Sequence, residues 1–348
     1  MKSKLYVKYF VGIIFVFASF HYITWSLITK NIFGNEPGIY VGDLGRLSYS
    51  IDSLHPRENK ITLDSVHRVF LDHSQTDVIT IGDSFSRGDA GGENANYQDF
   101  IATEYDLDVI NITPSDEGYI ETVLILNNSG VLDKLKPKSI VLQSVERSAI
   151  NRFSKGINWD IQGREELLLA KSPDKFVPST PEASFINNNN YKAWLYRILY
   201  KYYDNALISK VYKAQLNKNY FSSKKQRELL YVFEDLESIE KSNIKSINLL
   251  NENLNQLQAI LSSKGIDLYF LPAADKYNIY SKYINDNKYK ESNFFELLRT
   301  MKNDYYFIDT KSILQKLIDK GEQDVYYSDD THWSAKASSE IIKRTSFK

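Results

Sequence analysis

The sequence predicts an α/β fold, a three-layer α/β/α domain built on a five-stranded parallel sheet, and three observations predict it. Short apolar runs, the first at Val78–Ile81, alternate with helix-length patterns in a β-α-β-α-β rhythm. The first run ends in Gly82-Asp83-Ser84, as a buried parallel strand does when a tight turn exposes a side chain at its carboxyl end. The chain of 348 residues, 43% of them hydrophobic, is long enough for one large core. We therefore expect right-handed crossovers and a site at the carboxyl edge of the sheet.

Each element follows from its local pattern. Apolar β-favouring runs predict five strands at 78–81, 107–112, 139–143, 267–271 and 305–308. Apolar residues at helical spacing predict helices at 97–104, 119–126, 244–263, 294–302, 313–320 and 335–344. Breaker residues indicate a short strand or turn at 40–47, a glycine-rich loop near the site at 88–96 and a loop at 272–280.

Residues 151–235 interrupt this rhythm and are predicted to form a helical insertion, because they contain no clear strand pattern. A polar loop at 172–190 precedes a helical stretch at 191–216 that includes Trp194 and several tyrosines. This stretch is either an amphipathic helix that packs on the domain or an aromatic surface for a membrane interface or a partner protein.

The N-terminus predicts a membrane anchor. Residues 9–29 carry no charge, and about 21 residues at 1.5 Å each give roughly 32 Å, enough to cross the hydrocarbon core. Lysines before the run predict a cytoplasmic tail at 1–8, followed by a stalk and lead-in segment at 30–76 and the α/β domain at 77–348. The domain would then lie on the periplasmic or extracellular side of the cytoplasmic (inner) membrane, as a single-pass protein. A cleaved signal peptide is the alternative.

Composition excludes several classes of function. A net charge of −1 and the lack of a basic patch predict no nucleic-acid partner. The sequence has no cysteine, which excludes disulfides and thiolate chemistry. No zinc-ligand spacing or phosphate-binding loop occurs, so we predict no metal and no cofactor.

Ser84 is the candidate nucleophile, and His332 is its candidate base. A serine hydroxyl needs a base, which in turn needs an orienting carboxylate. Of the five histidines, only His332 lies in a polar cluster with carboxylates two and three residues upstream, in Ser328-Asp329-Asp330-Thr331-His332-Trp333-Ser334. Either Asp330 or Asp329 could orient the imidazole; capping of the last helix would explain an aspartate but not His-Trp.

Further residues are candidates for the remaining roles. The backbone N–H groups of Ser84 and Gly118 are the predicted oxyanion donors, because both follow strand ends. The candidates for contact with the substrate are Asp83, Arg147, Lys276, Tyr280 and Trp333. Ordinary surface loops would explain the residues at 147 and 276–280 equally well.

These motifs resemble the SGNH (GDSL-type) esterase superfamily, through Gly82-Asp83-Ser84 early and Asp-x-x-His late. The likeness is closer to its alginate O-acetyltransferase-like (AlgJ/AlgX-like) branch. The residues that carry it are Gly42-Asp43-Leu44-Gly45-Arg46, Pro272-Ala-Ala-Asp-Lys-Tyr-x-x-Tyr280 and Tyr327-Ser-Asp-Asp-Thr-His-Trp-Ser334. Two features depart from the pattern. The Asp-x-His-Trp element precedes the serine in the alginate proteins but follows it here, and residues 145–148 replace the superfamily's Gly-x-Asn-Asp block.

The resemblance implies an SGNH-like fold with Ser84 as nucleophile, His332 as base and Asp330 as orienting acid, or Asp329 if the wider superfamily spacing holds. It implies a membrane-anchored O-acetyltransferase that modifies a cell-surface or secreted glycan through an acetyl-serine intermediate. The expected partners are the glycan acceptor and a multi-pass membrane acyltransferase that supplies acetyl groups. A carbohydrate esterase or deacetylase, and a non-catalytic accessory protein of an acyltransferase complex, are the alternatives.

Overall fold

The structure is a computed structural model that describes residues 2–33, 41–55, 63–68, 75–87, 96–163 and 184–347. The predicted glycine-rich loop at 88–96 lies outside the described residues except for Asn96, and so does the predicted polar loop at 172–190 up to residue 183.

Five parallel strands form the central sheet, which confirms the predicted α/β fold. The seven strands of the described residues are β1 (Val78–Ile81), β2 (Val109–Ile112), β3 (Ser139–Val145), β4 (Val211–Gln215), β5 (Glu228–Val232), β6 (Asp267–Ala273) and β7 (Tyr306–Phe307). The sheet has the order β2-β1-β3-β6-β7, with Val78 in register with Val109 and with Ser139. The strand order reverses at β1, so the carboxyl end of β1 is where a doubly wound sheet binds its ligand.

Helices cover both faces of the sheet. The α-helices of the described residues are α1 (Lys2–Thr24), α2 (Lys30–Phe33), α3 (Asp43–Ser48), α4 (Ser84–Arg87), α5 (Tyr97–Tyr105), α6 (Tyr119–Asn128), α7 (Val131–Leu135), α8 (Glu146–Phe153), α9 (Asn189–Leu199), α10 (Phe233–Glu237), α11 (Ile244–Ser262), α12 (Lys276–Tyr280), α13 (Phe294–Arg299), α14 (Thr310–Asp319) and α15 (Ala335–Lys343). Helices α5, α14 and α15 pack together in one layer, and α6, α8, α11 and α13 pack together in the other. Strands β1 and β3 between them are buried throughout, as expected for strands covered on both faces.

The insertion is not purely helical, which corrects the prediction for residues 151–235. Its helix α9 ends at Leu199, and β4 and β5 pair as an antiparallel hairpin from Val211↔Val232 to Gln215↔Glu228. Strand β4 is only half-buried, with Val211 the one residue of its five that is fully inside. Strand β4 lacks the apolar run that is typical of the central strands. The tyrosines of residues 191–216 recur at spacings that resemble those of a helix, which is why a helix was predicted there.

Two shorter segments also differ from the prediction. Residues 43–48 form helix α3 where a strand or turn was expected, and residues 276–280 form helix α12 within the predicted loop. The backbone N–H of Gly45 donates to the carbonyl of Asp329 at 2.8 Å, so α3 lies directly against the loop that follows β7 and α14. The lead-in segment therefore forms one wall of the candidate site.

The N-terminal apolar helix is present. Among the described residues, one helical stretch, Ser3–Phe33, is long and apolar enough to cross a membrane. Its first half is exposed, whereas His21, Thr24, Ile28 and Ile32 are buried against the rest of the protein. By length and composition the helix fits a membrane anchor or a signal sequence.

Candidate active site

Ser84 is the first residue of α4, at the carboxyl end of β1. The turn between them needs Gly82, because a Cβ there would lie 1.9 Å from Ser86 Oγ and 2.4 Å from Gln143 Oε1. Gln143 Oε1 also accepts from the backbone N–H of Asp83 at 2.9 Å, which fixes the turn to β3. The strand-to-helix turn thus presents the serine hydroxyl at the predicted edge of the sheet.

The structure brings Ser84, His332 and Asp330 together in hydrogen-bond contact. His332 Nε2 lies 2.7 Å from Ser84 Oγ, and His332 Nδ1 lies 2.6 Å from Asp330 Oδ1. Asp330 Oδ1 also accepts from the backbone N–H of His332 at 3.0 Å, which orients the ring. This is the geometry of a Ser-His-Asp triad, in which the base takes the hydroxyl proton and the carboxylate stabilises the charged imidazole.

Electrostatics keep Asp330 ionised. Burial alone would raise the pKa of Asp330, but the charge and the hydrogen bonds of His332, together with the charge of His55, lower it to about 2. A carboxylate that stays charged at neutral pH favours the Nδ1–H tautomer of His332, in which Nε2 accepts the hydrogen bond from the Ser84 hydroxyl.

Lys276 holds the loop that carries both aspartates. Its ammonium donates to the backbone carbonyls of Tyr327, Ser328 and Asp330 at 2.6, 2.9 and 3.0 Å, and the side chain is 1% exposed. Burial lowers the pKa of Lys276 to about 8, although Asp329 and Asp330 oppose the change. The structure therefore gives Lys276 a positioning role in place of the predicted substrate contact, because all three donors point into the protein.

Asp329 pairs with His55 and not with His332. Asp329 Oδ1 accepts from the backbone N–H of His55 at 3.2 Å and makes a short contact with His55 Nδ1. Its other oxygen accepts from the backbone N–H of Gly42 at 2.9 Å. A Cβ at Gly42 would lie 2.2 Å from the carbonyl oxygen of Asp329, so only glycine permits this approach. Of the two aspartates left open by the sequence, the structure pairs Asp330 with the base.

Asp43 is a site residue that the sequence reasoning did not single out. Its carboxylate accepts from the backbone N–H and the hydroxyl of Thr331 at 2.9 and 2.7 Å. Burial and the nearby charge of Asp330 raise the pKa of Asp43. Its motif, Gly42-Asp43-Leu44-Gly45-Arg46, is part of the family resemblance. That motif was the one feature of the sequence that could have indicated Asp43 as a site residue.

Asp43, Asp330 and His332 form the group that could hold a metal ion among the described residues, with one ligand atom each within 4.8 Å of one another. The same atoms already bond within the protein: Asp330 to His332, and Asp43 to Thr331. These hydrogen bonds account for the clustering of the three side chains.

Asp83 and Arg147 are tied into ion pairs. Asp83 Oδ2 accepts from the backbone N–H of Val145 at 2.8 Å and contacts the Arg152 guanidinium, which lies over the Tyr119 ring at 4.7 Å. Burial opposes the charge of Asp83, but Arg152 and these hydrogen bonds lower its pKa. Asp83 thus braces the Ser84 turn, which corrects its predicted role in substrate contact. Sequence spacing gave no sign of Arg152.

Arg147 bonds Asp275 Oδ1 at 2.9 Å and Asp235 Oδ1 at 3.2 Å, with its side chain 19% exposed. Glu146 beside it is buried and accepts from Asn278 and Ser292. Residues 145–148, which stand where the superfamily has Gly-x-Asn-Asp, therefore form a buried charged network. The Arg147 guanidinium is thus bonded to two carboxylates of the protein. This differs from its predicted role as a contact for substrate.

Tyr280 and Trp333 are core residues, which corrects their predicted contact with substrate. Tyr280 is fully buried, with its ring against Phe221 and Tyr326. Trp333 is 4% exposed and packs its ring against Phe85 at 4.7 Å. Phe85 also contacts the His332 ring at 4.6 Å. Trp333 therefore packs against the phenyl ring that contacts His332.

The predicted oxyanion donors lie at two helix starts. Ser84 begins α4, and Gly118 immediately precedes α6. The first N–H groups of a helix have no partner within it and are suited to an anion. The role of both N–H groups stays a prediction.

A doubly wound parallel sheet thus carries a serine, a histidine and an aspartate in contact at its carboxyl edge, as expected for an SGNH-like domain. The family model described as SGNH hydrolase-like domain, acetyltransferase AlgX, matches residues 230–342. Over these residues the chain is similar to that family's SGNH domain, which confirms the resemblance carried by the motifs at 272–280 and 327–334. The matched part includes β6, Lys276 and the Asp329–Trp333 loop, and it ends before α15 does. Neither the curated proteins nor the solved structures gave a match to the chain.

Proposed function

We propose that this protein is a serine-dependent O-acetyltransferase that modifies a cell-surface or secreted glycan. The observation that carries the proposal is the chain of contacts from Asp330 through His332 to Ser84 Oγ, at 2.6 and 2.7 Å. The match to an acetyltransferase family supports the choice of acetyl chemistry over other acyl transfers.

In the first half-reaction, Ser84 Oγ attacks the carbonyl carbon of an acetyl donor while His332 Nε2 takes the hydroxyl proton. The tetrahedral intermediate collapses, the bond to the donor's leaving group breaks, and His332 returns the proton to that group. The product is an acetyl ester of Ser84. Asp330 stabilises the imidazolium throughout, and the N–H groups of Ser84 and Gly118 are the proposed donors to the oxyanion.

In the second half-reaction, a sugar hydroxyl gives its proton to His332 and attacks the acetyl-serine carbonyl. The ester bond to Ser84 breaks, Oγ regains the proton from His332, and the acetylated sugar leaves. Water could take the place of the sugar, and a glycan esterase or deacetylase is the second candidate because the matched family is described as hydrolase-like.

The N-terminal helix supports a place at the membrane. An uncleaved anchor with lysines on its N-terminal side would hold the domain on the periplasmic or extracellular face of the cytoplasmic membrane. There, a multi-pass membrane acyltransferase could supply acetyl groups and a glycan could accept them; both partners are proposals.

The proposal is tested with the full chain in detergent, using p-nitrophenyl acetate as donor. Without acceptor, wild type should accumulate one acetyl group, located on Ser84 by peptide mass spectrometry, and Ser84→Ala should carry none. Ser129→Ala is the matched control, because Ser129 lies at the far end of α6. With oligosaccharide acceptors, acetyl transfer to sugar identifies a transferase, whereas release of acetate alone identifies an esterase. Acetylation of an acceptor by Ser84→Ala at the wild-type rate would overturn the proposal.

A further inference from the structure

Helix α9 in the insertion turns its apolar side chains outward. Tyr191, Trp194, Leu195 and Ile198 are 50%, 39%, 45% and 53% exposed. Their spacing of i, i+3, i+4 and i+7 places them on one face of the helix. An amphipathic helix that packed on the domain with its apolar face would bury these four side chains. The exposure of the apolar face therefore favours the other interpretation of this stretch, an aromatic surface for a membrane interface or a partner protein.

The neighbouring face of α9, which shares Tyr191 and Trp194 with the exposed face, contacts the N-terminal helix through polar groups. Asn190 is fully buried, and its side chain bonds His21 Nδ1 and the Thr29 hydroxyl, each at 2.8 Å. Trp194 Nε1 donates to the Thr24 hydroxyl at 2.8 Å, and Tyr191 Oη lies 3.1 Å from His21 Nε2. Three polar side chains of the apolar span, His21, Thr24 and Thr29, thus find partners on α9, as polar groups within a membrane require.

The length of the apolar span fixes the depth of α9. Crossing the hydrocarbon core takes about 20 residues, which matches the uncharged run at 9–29. The contacts with α9 begin at Phe20 and His21 and continue to Thr29. At 1.5 Å per residue, roughly 13 Å of the span lies beside α9. If the N-terminal helix crosses a bilayer, α9 must lie at or within the outer part of that bilayer.

Charge around the stripe suits a lipid surface. Residues 184–203 contain Lys192, Arg197 and Lys201 and no acidic residue, and Asp204 in the following turn is paired with Lys288 at 2.9 Å. The turn after α9 adds three exposed apolar side chains, Tyr202, Leu207 and Ile208, at 76%, 57% and 61% exposure. A helix with aromatic and aliphatic residues on one face and basic residues beside them is typical of segments that lie in the membrane interface.

We propose that α9 and the turn at 200–208 form a second membrane contact, which lies in the interfacial layer of the bilayer beside the N-terminal helix. This contact is joined to the candidate site. Asn189 Oδ1 accepts from the Tyr49 hydroxyl at 2.8 Å, and the Tyr196 ring meets the Tyr49 ring at 5.3 Å. Tyr49 directly follows α3, which carries Asp43. The membrane contact therefore fixes the height and orientation of the triad relative to the lipid surface.

This inference rests on the membrane anchor of the proposed function and not on acyl transfer. Because the chain has no cysteine, one introduced cysteine gives a unique labelling site. Full-length Ile198→Cys, Ile13→Cys and Ile244→Cys would each carry a nitrobenzoxadiazole fluorophore. Ile198 and Ile244 are both 53% exposed, Ile13 lies in the exposed half of the N-terminal helix at 68%, and Ile244 begins α11. Each protein is reconstituted in vesicles of phosphatidylcholine and phosphatidylglycerol, with and without brominated acyl chains.

We expect brominated lipid to remove about half of the emission at positions 13 and 198 and little at position 244, because bromine quenches only fluorophores within the bilayer. Quenching at position 13 with none at 198 would overturn the second contact and leave the anchor standing. Quenching at neither position would overturn both. Quenching of position 198 by aqueous iodide to the same extent as position 244 would also contradict the inference.

Discussion

Asp330–His332 and Asp329–His55 are two aspartate–histidine pairs built from adjacent residues of one loop. Each aspartate bonds both the Nδ1 atom and the backbone N–H of its histidine. Both histidines are buried, at 6% and 4% exposure. Local chemistry alone would therefore assign the two pairs the same role.

The surroundings separate them. His332 presents Nε2 to Ser84 Oγ, with Phe85 against its ring. His55 stacks on the Tyr327 ring with centroids 4.3 Å apart, and its aspartate also holds Gly42. The first pair faces the candidate nucleophile Ser84, and the second holds the lead-in segment against the loop. An Asp-His pair becomes a base only where the ring meets a group with a proton to give.

Replacing the two histidines gives the largest expected contrast. His332→Ala removes the base and should lower the rate of Ser84 acetylation by on the order of 10⁴-fold. His55→Ala removes a fastening contact and should lower that rate far less while lowering the melting temperature. Stopped-flow release of p-nitrophenol and thermal unfolding measure the two effects. Equal losses of rate in the two variants would show that the pairs do not differ in role.

Replacing each aspartate in turn separates two roles: Asp330 orients the His332 ring, and Asp329 holds the lead-in segment against the loop. Asp330→Asn keeps the shape but favours the wrong tautomer of His332, so kcat should fall by about 10³-fold or more. Asp329→Asn weakens a buried pair that also holds Gly42, so it should cost about 3 kcal/mol of unfolding free energy with a much smaller change in kcat. Urea unfolding and steady-state kinetics measure both. A larger kcat loss in Asp329→Asn would reverse the assignment.

The sheet was predictable because its strands are short buried apolar runs that end in turn residues. Val78–Ile81 was predicted to the residue, and β3 and β6 each extend two residues beyond the prediction. The hairpin of β4 and β5 was not, since Val211–Gln215 is largely half-exposed and has no apolar run. A strand that is buried on both faces has a continuous apolar run, which makes it easy to recognise in a sequence. Strand β4 of the insertion is not buried in this way.

In the site, residue types were easier to predict than partners. Ser84 and His332 stand out because each sits in a distinctive motif, but the choice between Asp329 and Asp330 depends on loop geometry that adjacent residues cannot encode separately. Asp43 and His55 contact the loop across more than 270 positions of sequence. Lys276, Tyr280 and Trp333 follow strand or loop ends, as substrate-binding residues do, yet the structure buries them. The position of a residue in the sequence can place it near a site. Whether its side chain contacts substrate or packs inside the protein depends on its burial, which the structure shows.

Lys276 joins the two pairs, so its removal should damage both. Lys276→Met leaves three buried carbonyls without their donor and should cost about 3 kcal/mol of unfolding free energy. We expect kcat to fall with KM little changed, because Lys276 makes its three hydrogen bonds to the backbone of the loop that positions His332. Lys311→Met is the matched control: Lys311 is also buried, but it bonds Ser292 and Glu296. A rise in KM alone for Lys276→Met would restore the substrate-contact role.

The smallest expected effect is the pH dependence that belongs to Asp330. Its pKa in the folded protein is about 2, below the ordinary value of 3.8, so its charged form stabilises the fold above about pH 4. This contribution, about 2 kcal/mol, is lost as the pH falls through about 2. The difference in unfolding free energy between wild type and Asp330→Asn should therefore be full at pH 5 and shrink towards pH 2. Urea unfolding across this range measures it, and a difference that stays constant with pH would mean that Asp330 is not the carboxylate held in its charged form by His332.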